Sequence, residues 1–280
     1  MNSSLSDPFI NIVSANGANA RPDPNEEIAM TTIQNLLAGT AMFCTAAAAI
    51  PAHAAPSGAA KNIVLVHGAF ADGSGWQAVY TILTRDGYKV SMVQPPETSL
   101  DDDIAATKRV LDAQDGPTVL VGHSYGGIVI TGAGNHVHVK SLVYIAAFQP
   151  DAGESLASLE TATPSPAAPL KPSADGFLYV DPAVFHADFA ADIPSAQADF
   201  MAASQVGISV KAVTGTVTVP AWKAKPSFAV VATQDHMISP ALERSMYKRS
   251  NSVVVELPSS HAVYISHPAE VAALIERAAQ

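Results

Sequence analysis

Residues 122–126, Gly-His-Ser-Tyr-Gly, have the G-x-S-x-G spacing that exposes a serine hydroxyl for nucleophilic attack. They follow an apolar, β-branched run at residues 118–121 and precede small apolar residues suited to a helix. A serine on so tight a turn adopts an unfavourable backbone conformation, and the two glycines lack the Cβ atoms that would collide there. The pattern indicates that Ser124 is a nucleophile, although a glycine-rich loop at an ordinary strand–helix junction has the same spacing.

A serine hydroxyl needs a base to accept its proton and a carboxylate to orient that base. His261 lies in the loop after the last strand that the sequence predicts. Asp235 lies two residues beyond the end of the predicted strand before it. Loops after parallel strands converge at one edge of a sheet, so we predict that Ser124, Asp235 and His261 meet there. Asp151, after the fourth predicted strand, is the alternative acid, but it suits a turn better. His123 is expected to point back into the sheet.

The oxyanion formed on a substrate carbonyl needs two backbone N–H donors, each of which lowers the barrier by on the order of 3 kcal/mol. Tyr125, directly after the serine, is one predicted donor. The loop after the first predicted strand reads His67-Gly68-Ala69-Phe70, and Gly68 lets this backbone approach closely. Ala69 or Phe70 is therefore predicted to supply the second N–H.

Strand-like and helix-like segments alternate along the chain, which predicts right-handed βαβ crossovers and a parallel sheet. Predicted strands cover residues 62–66, 88–93, 118–121, 139–146, 227–233 and 252–257, and predicted helices cover 76–85, 101–112, 126–134, 240–249 and 268–279. We predict an α/β core at 61–150 and 221–280, with about six mostly parallel strands flanked by helices. The proline- and alanine-rich residues 151–220 are predicted to form a small helical lid inserted between the fourth and fifth strands.

Charge and composition exclude several classes of function. The 280 residues carry 15 basic and 25 acidic side chains, a net charge of −10, without a basic cluster. Nucleic acid is therefore not expected as a partner. The single cysteine, Cys44, allows neither a disulfide framework nor a thiolate metal site. We predict no cofactor and no bound metal.

The first 60 residues are expected to lie outside the fold, as a disordered leader and signal peptide. An apolar run at 36–50 followed by Ala52-His53-Ala54 describes a secretory signal cleaved after Ala54. The run is too short for a comfortable membrane span, so no stable membrane insertion of the mature chain is expected. A secreted or periplasmic location is predicted. Because no Lys or Arg lies in residues 30–60, a cytoplasmic protein is the alternative.

Five segments resemble, in order, those of the α/β-hydrolase superfamily: V-L-V-H-G-A-F, G-H-S-Y-G-G, Y-I-A-A-F-Q-P-D, the Asp235 segment and S-S-H-A-V-Y-I-S-H-P. More narrowly, they resemble the branch that holds plant hydroxynitrile lyases, methyl-salicylate-type esterases and their bacterial relatives. The resemblance spans residues 61–280 and implies an α/β-hydrolase fold. It also implies a catalytic triad of Ser124, His261 and Asp235 and no cofactor.

Within this branch, hydroxynitrile lyases place a lysine directly after the catalytic histidine and a threonine in the first oxyanion loop. Here Ala262 follows His261 and the loop reads His-Gly-Ala, which is the esterase pattern. Haloalkane dehalogenases and epoxide hydrolases need a carboxylate nucleophile, which Ser124 excludes.

The sequence therefore predicts a serine hydrolase that cleaves small carboxylic esters through an acyl-enzyme intermediate. The alternatives are hydroxynitrile lyase-like or perhydrolase activity on the same triad, or a non-catalytic protein that binds a small ligand. Aromatic residues of the lid suggest an apolar pocket wall, and Phe70, Phe185 and Trp222 are predicted to contact the substrate.

Overall fold

The structure is a computed structural model that describes residues 58–280, so the predicted leader and its cleavage site lie outside the described residues. Within residues 58–280 the chain forms nine strands in two sheets. The strands are β1 (Asn62–Val66), β2 (Lys89–Val93), β3 (Thr118–Ser124), β4 (Val139–Ala147), β5 (Lys171–Pro172), β6 (Phe177–Tyr179), β7 (Ile208–Ser209), β8 (Ser227–Ala232) and β9 (Val253–Leu257).

The larger sheet has six strands in the order β2-β1-β3-β4-β8-β9, and every neighbouring pair is parallel. All residues of β1 and β3 are buried, as expected for central strands that helices cover on both faces. The predicted six-stranded parallel sheet is confirmed. Because its strands all run the same way, the loops after β1, β3, β8 and β9 meet at one edge.

Helices connect and cover these strands. They are α1 (Gln77–Arg85), α2 (Leu100–Asp112), α3 (Gly126–Ala133), α4 (Leu156–Ala162), α5 (Pro182–Phe189), α6 (Ser195–Ala203), α7 (Val210–Thr214), α8 (Pro240–Arg249), α9 (Val263–Ser266) and α10 (Pro268–Ala279). In the described part of the chain, short 3₁₀ helices lie at Gly73–Trp76 and Ala221–Lys223. Apolar side chains of α1, α10 and the central strands form the main core. None of the helices within residues 58–280 is long and apolar enough to cross a membrane.

Residues 148–226 separate β4 from β8 and contain α4 to α7 together with the second sheet. This small sheet is antiparallel, in the order β5-β6-β7. The sequence predicts only short helices in this region. Strands of two or three residues are too short to show an alternating hydrophobic pattern, so the sequence does not predict them.

Candidate active site

Ser124 ends β3 and has a φ of 53°, a left-handed conformation that costs energy for any residue other than glycine. The surrounding backbone holds it there, since its carbonyl accepts a hydrogen bond from the Phe148 N–H at 3.2 Å. A Cβ atom at Gly122 would lie 2.5 Å from the Gly126 carbonyl oxygen, so the turn requires glycine. The serine therefore occupies the strained strand-to-helix turn that its motif predicts.

Substitution of Gly126 tests how closely the backbone approaches this turn. A Cβ atom there would lie 2.7 Å from the carbonyl oxygens of both Val66 and His67. Backbone atoms yield less readily than a flexible side chain, so Gly126→Ala is expected to destabilise the protein by about 1–3 kcal/mol. The matched control is Gly116→Ala, whose Cβ would meet nothing closer than Asn62 Nδ2 at 4.0 Å. Urea denaturation measures both, and equal unfolding free energies would contradict the close approach.

His261 and Asp235 form a buried pair, with His261 Nδ1 2.6 Å from Asp235 Oδ2. Asp235 Oδ1 accepts two further hydrogen bonds, from the N–H of Met237 at 2.7 Å and of Ile238 at 3.0 Å. The carboxylate is thus fixed, and because it only accepts, the histidine proton resides on Nδ1. Nε2 of His261 has no hydrogen-bond partner among residues 58–280 and keeps its lone pair available.

His123, the residue before the serine, joins the turn to the histidine loop. Its Nε2–H donates to the His261 carbonyl at 3.0 Å, and the centroids of the two rings are 4.6 Å apart. Burial, and then the neighbouring His261, lower the pKa of His123 well below its usual value, so it is neutral. The expectation that it points back into the sheet misses this contact, which ties the loop of His261 to the residue before Ser124.

Asp151, the alternative acid, lies elsewhere. It forms an ion pair with Lys223 and accepts a hydrogen bond from the N–H of Ala152 at 2.6 Å. The side-chain hydrogen bond from Lys223 lowers the pKa of Asp151. Of the two candidate acids, the structure brings only Asp235 to His261.

The loop after β1 lies directly against the serine, because a Cβ atom at Gly68 would be 2.5 Å from the serine Cβ. The N–H of Phe70 donates to the Val206 carbonyl at 3.0 Å, so it is not free to bind an oxyanion. The prediction of Phe70 as an alternative donor is therefore corrected. Within residues 58–280, neither Ala69 nor Tyr125 has an acceptor for its N–H, which leaves these two as the candidate pair.

Tyr125 is held by a buried carboxyl group that the sequence does not mark as part of the site. Its hydroxyl donates to Asp103 Oδ2 at 2.6 Å, and Asp103 Oδ1 accepts from the Glu97 N–H at 2.7 Å. Burial raises the pKa of Asp103 to about 6. In the sequence, Asp103 is one of three acids at the start of a helix, where such residues are common for helix-dipole reasons.

Phe189 at the end of α5 covers the histidine. Its ring stands edge-on to the His261 ring with centroids 4.8 Å apart, and its carbonyl accepts a hydrogen bond from the Ala262 N–H at 3.0 Å. The Phe185 ring stacks on the Phe189 ring, also with centroids 4.8 Å apart. The predicted aromatic wall therefore reaches His261 through Phe189, and the contact of Phe185 with substrate stays a prediction.

Trp222 lies at the base of the insertion. Its indole N–H donates to the Pro150 carbonyl at 2.7 Å, and Lys223 and Arg249 lie over its ring at 5.2 and 5.8 Å. These contacts place the ring between two cationic side chains, and its predicted contact with substrate stays a prediction.

Phe70 has a φ of 66°, a second strained residue of the same site, and it borders a cavity of about 220 Å³. The cavity lies between the first 3₁₀ helix and α6, and its other apolar walls come from Phe200, Met201, Tyr264 and Ile265. Of the three predicted substrate-contact residues, Phe70 is therefore the one that borders this cavity.

Asp192, just before α6, ties the insertion to the histidine loop. Its carboxylate accepts hydrogen bonds from the hydroxyl groups of Ser259, at 2.6 Å, and of Ser260. The N–H of Ser260 also donates to it, at 3.2 Å. The residues before His261 are therefore held against the insertion.

The comparisons with known proteins agree with this architecture. A model of the alpha/beta hydrolase family matches residues 63–274, and the chain belongs to that family. The predicted superfamily is confirmed. A carbendazim hydrolyzing esterase from Nocardioides sp. (strain SG-4G) is 33% identical over 112 residues, which are 35% of this chain and 46% of that protein. The chain thus matches about half the length of this relative.

Solved structures with the same fold include three enzymes. A pyrethroid hydrolase from Sphingobium faniae JZ-2 has a TM-score of 0.66 and 22% identity, covering 79% of this chain and 97% of its own. Polyneuridine aldehyde esterase has a TM-score of 0.69 and 15% identity, with 79% and 100% covered. A methylesterase from Arabidopsis has a TM-score of 0.65 and 18% identity, with 78% and 98% covered.

Proposed function

We propose that the protein is a serine esterase that cleaves small carboxylic esters through an acyl-enzyme. One observation carries this proposal: His261 is bound to Asp235 through Nδ1 with its Nε2 unpartnered, and its carbonyl is bonded to His123 in the turn that strains Ser124. A nucleophile, a base and an orienting carboxylate are the groups that acyl transfer requires. The relative that is 33% identical is named as an esterase, which supports the same reaction type.

In this mechanism the Ser124 hydroxyl oxygen attacks the ester carbonyl carbon while His261 Nε2 accepts its proton. Asp235 stays ionised and stabilises the imidazolium that forms. The N–H groups of Ala69 and Tyr125 donate to the oxyanion. His261 then returns its proton to the leaving alkoxide, and the alcohol departs. Water, activated by the same nitrogen, attacks the acyl-enzyme and releases the carboxylic acid.

A panel of p-nitrophenyl and methyl esters with short acyl groups tests the proposal. Turnover that exceeds the buffer rate and saturates with substrate is expected. The panel also separates the esterase from a non-catalytic protein that only binds a small apolar ligand, because such a protein would bind the esters without releasing acid. Absence of turnover on every ester would refute the esterase.

Ala262 favours ester hydrolysis over cyanohydrin cleavage. A leaving cyanide carries a negative charge into a dry site, where an uncompensated anion is costly. Ala262 is buried beside His261 and offers no cation. We therefore expect the purified protein to release no cyanide from mandelonitrile or acetone cyanohydrin above the buffer rate. Enzyme-dependent release that disappears in Ser124→Ala would overturn this expectation and favour the lyase reaction.

A further inference from the structure

Glu243 is a fully buried carboxyl group on α8, close to the loop that carries Asp235. Its Oε2 accepts a hydrogen bond from the N–H of Ala232 at 3.2 Å. Ala232 ends β8, and its carbonyl accepts a hydrogen bond from the Asp235 N–H, also at 3.2 Å. Both acidic residues are therefore anchored on the same residue. The second oxygen of Glu243, Oε1, has no hydrogen-bond partner among residues 58–280.

Glu243 and Asp235 are thus held side by side through Ala232, and, besides burial, a hydrogen bond between their side chains contributes to the raised pKa of Glu243. Two carboxyl groups this close cannot both be ionised in a buried site, so one of them holds a proton. Asp235 accepts three N–H groups, from Met237 and Ile238 on Oδ1 and from His261 on Oδ2, so both of its oxygens are already acceptors. Glu243 accepts only one backbone N–H. The proton therefore belongs to Glu243.

The other titratable groups around Glu243 lead to the same assignment. Burial, and then the charge of Asp235, raise the pKa of Glu243 well above its usual range. Arg244 opposes this shift, but its guanidinium is half exposed and pairs with Glu256 at 2.7 Å. Tyr247, one turn along α8, donates its hydroxyl to a backbone carbonyl of β4 at 2.7 Å. Burial raises the pKa of Tyr247 as well, so it adds no charge.

Building on the esterase function proposed above, we propose that Glu243 is a positioning residue whose neutral carboxylic acid donates a hydrogen bond to Asp235 and holds it against His261. The donated proton gives Oε1 the partner that it otherwise lacks. This arrangement also makes the site sensitive to alkaline pH. Loss of the proton would place a second negative charge beside Asp235 with no donor between them. Because the pKa of Glu243 is raised, the bond persists above the pH at which an ordinary glutamate ionises and is lost as the pH rises through the raised pKa.

Two variants separate this role from simple core packing. Glu243→Gln keeps the shape and can donate an amide N–H to Asp235 without ever ionising, whereas Glu243→Met keeps the volume and can donate nothing. The control is Glu270→Gln, a half-exposed glutamate on α10. The kcat and KM for p-nitrophenyl acetate are measured from about pH 6 to about pH 10. Thermal unfolding of each variant shows whether it folds.

We expect Glu243→Met to lower kcat at least tenfold with KM nearly unchanged. Glu243→Gln should stay within about threefold of wild type at neutral pH. Wild type should lose kcat at alkaline pH, and in Glu243→Gln this loss should move to higher pH or vanish. If Glu243→Met fails to fold, the pH profile of Glu243→Gln alone tests the proposal. A Glu243→Gln profile identical to that of wild type and of Glu270→Gln would overturn the proposal.

A second measurement does not depend on catalysis. The infrared difference spectrum between wild type and Glu243→Gln at neutral pH should contain the carbonyl band of a protonated carboxylic acid. If the wild-type protein hydrolyses no ester, the proposed function fails, and this band still reports whether Glu243 holds the proton. Absence of the band would refute the neutral acid, whatever the activity.

Discussion

Ser124→Ala is expected to abolish ester hydrolysis, with a loss in kcat of roughly 10⁵- to 10⁶-fold, because the members of a triad act as a unit. The fold should survive the change. Alanine keeps the Cβ atom that lies against the loop after β1 and removes only the hydroxyl oxygen. The backbone strain at this position, a φ of 53°, is the same for both residues.

The matched control for this variant is Ser195→Ala, an exposed serine at the start of α6. It should hydrolyse esters at the wild-type rate. A pre-steady-state burst of p-nitrophenol, stoichiometric with enzyme in wild type and absent in Ser124→Ala, would trace the acyl-enzyme to this hydroxyl. Retention of more than about a tenth of wild-type turnover in Ser124→Ala would rule it out as the nucleophile.

Asp235→Asn is expected to lower kcat by roughly 10⁴-fold with little change in the fold. The N–H groups of Met237 and Ile238 fix how the new amide lies, since they need the carbonyl oxygen as their acceptor. The amide NH₂ then faces Nδ1 of His261 and forces that nitrogen to accept. The histidine proton moves to Nε2, where it blocks removal of the serine proton.

Asp151→Asn is the comparison variant for this experiment. It weakens only the ion pair with Lys223, so kcat should stay within about twofold of wild type, as for a partly exposed ion pair. Both variants are compared with wild type for hydrolysis of p-nitrophenyl acetate at neutral pH. The opposite pattern, with Asp151→Asn inactive and Asp235→Asn active, would show that the acid belongs to β4 and not to β8.

The main sheet was predictable from the sequence because its strands are short, mostly apolar runs between clear turn signals. Most observed bounds fall within one or two residues of the predicted ones. The exception is β3, predicted to end at residue 121 but paired with β4 as far as Ser124. A register shift between His123 and Ser124 keeps the turn attached to the sheet. A shift of this kind depends on the neighbouring strand and leaves no mark in local hydrophobicity.

The candidate site, like the sheet, was predictable from the sequence only in part. Ser124, Asp235 and His261 follow strand ends in a fixed order, so position along the chain is enough to predict them. Residues that support them do not follow from position, because a buried acid such as Glu243 looks like any helical glutamate in a sequence. The choice between Ala69 and Phe70 depended on Val206, which is remote in sequence.

The separation of β4 from β8 has a consequence for how the chain folds. β1 to β4 can assemble from contiguous sequence, whereas β8 must wait until residues 148–226 have closed on themselves. Until then β4 presents a long apolar edge with unpaired N–H and C=O groups, which invites association between partly folded chains. Refolding yield should therefore fall with protein concentration. Asp235, which follows β8 and binds His261, should be among the last residues to reach its place.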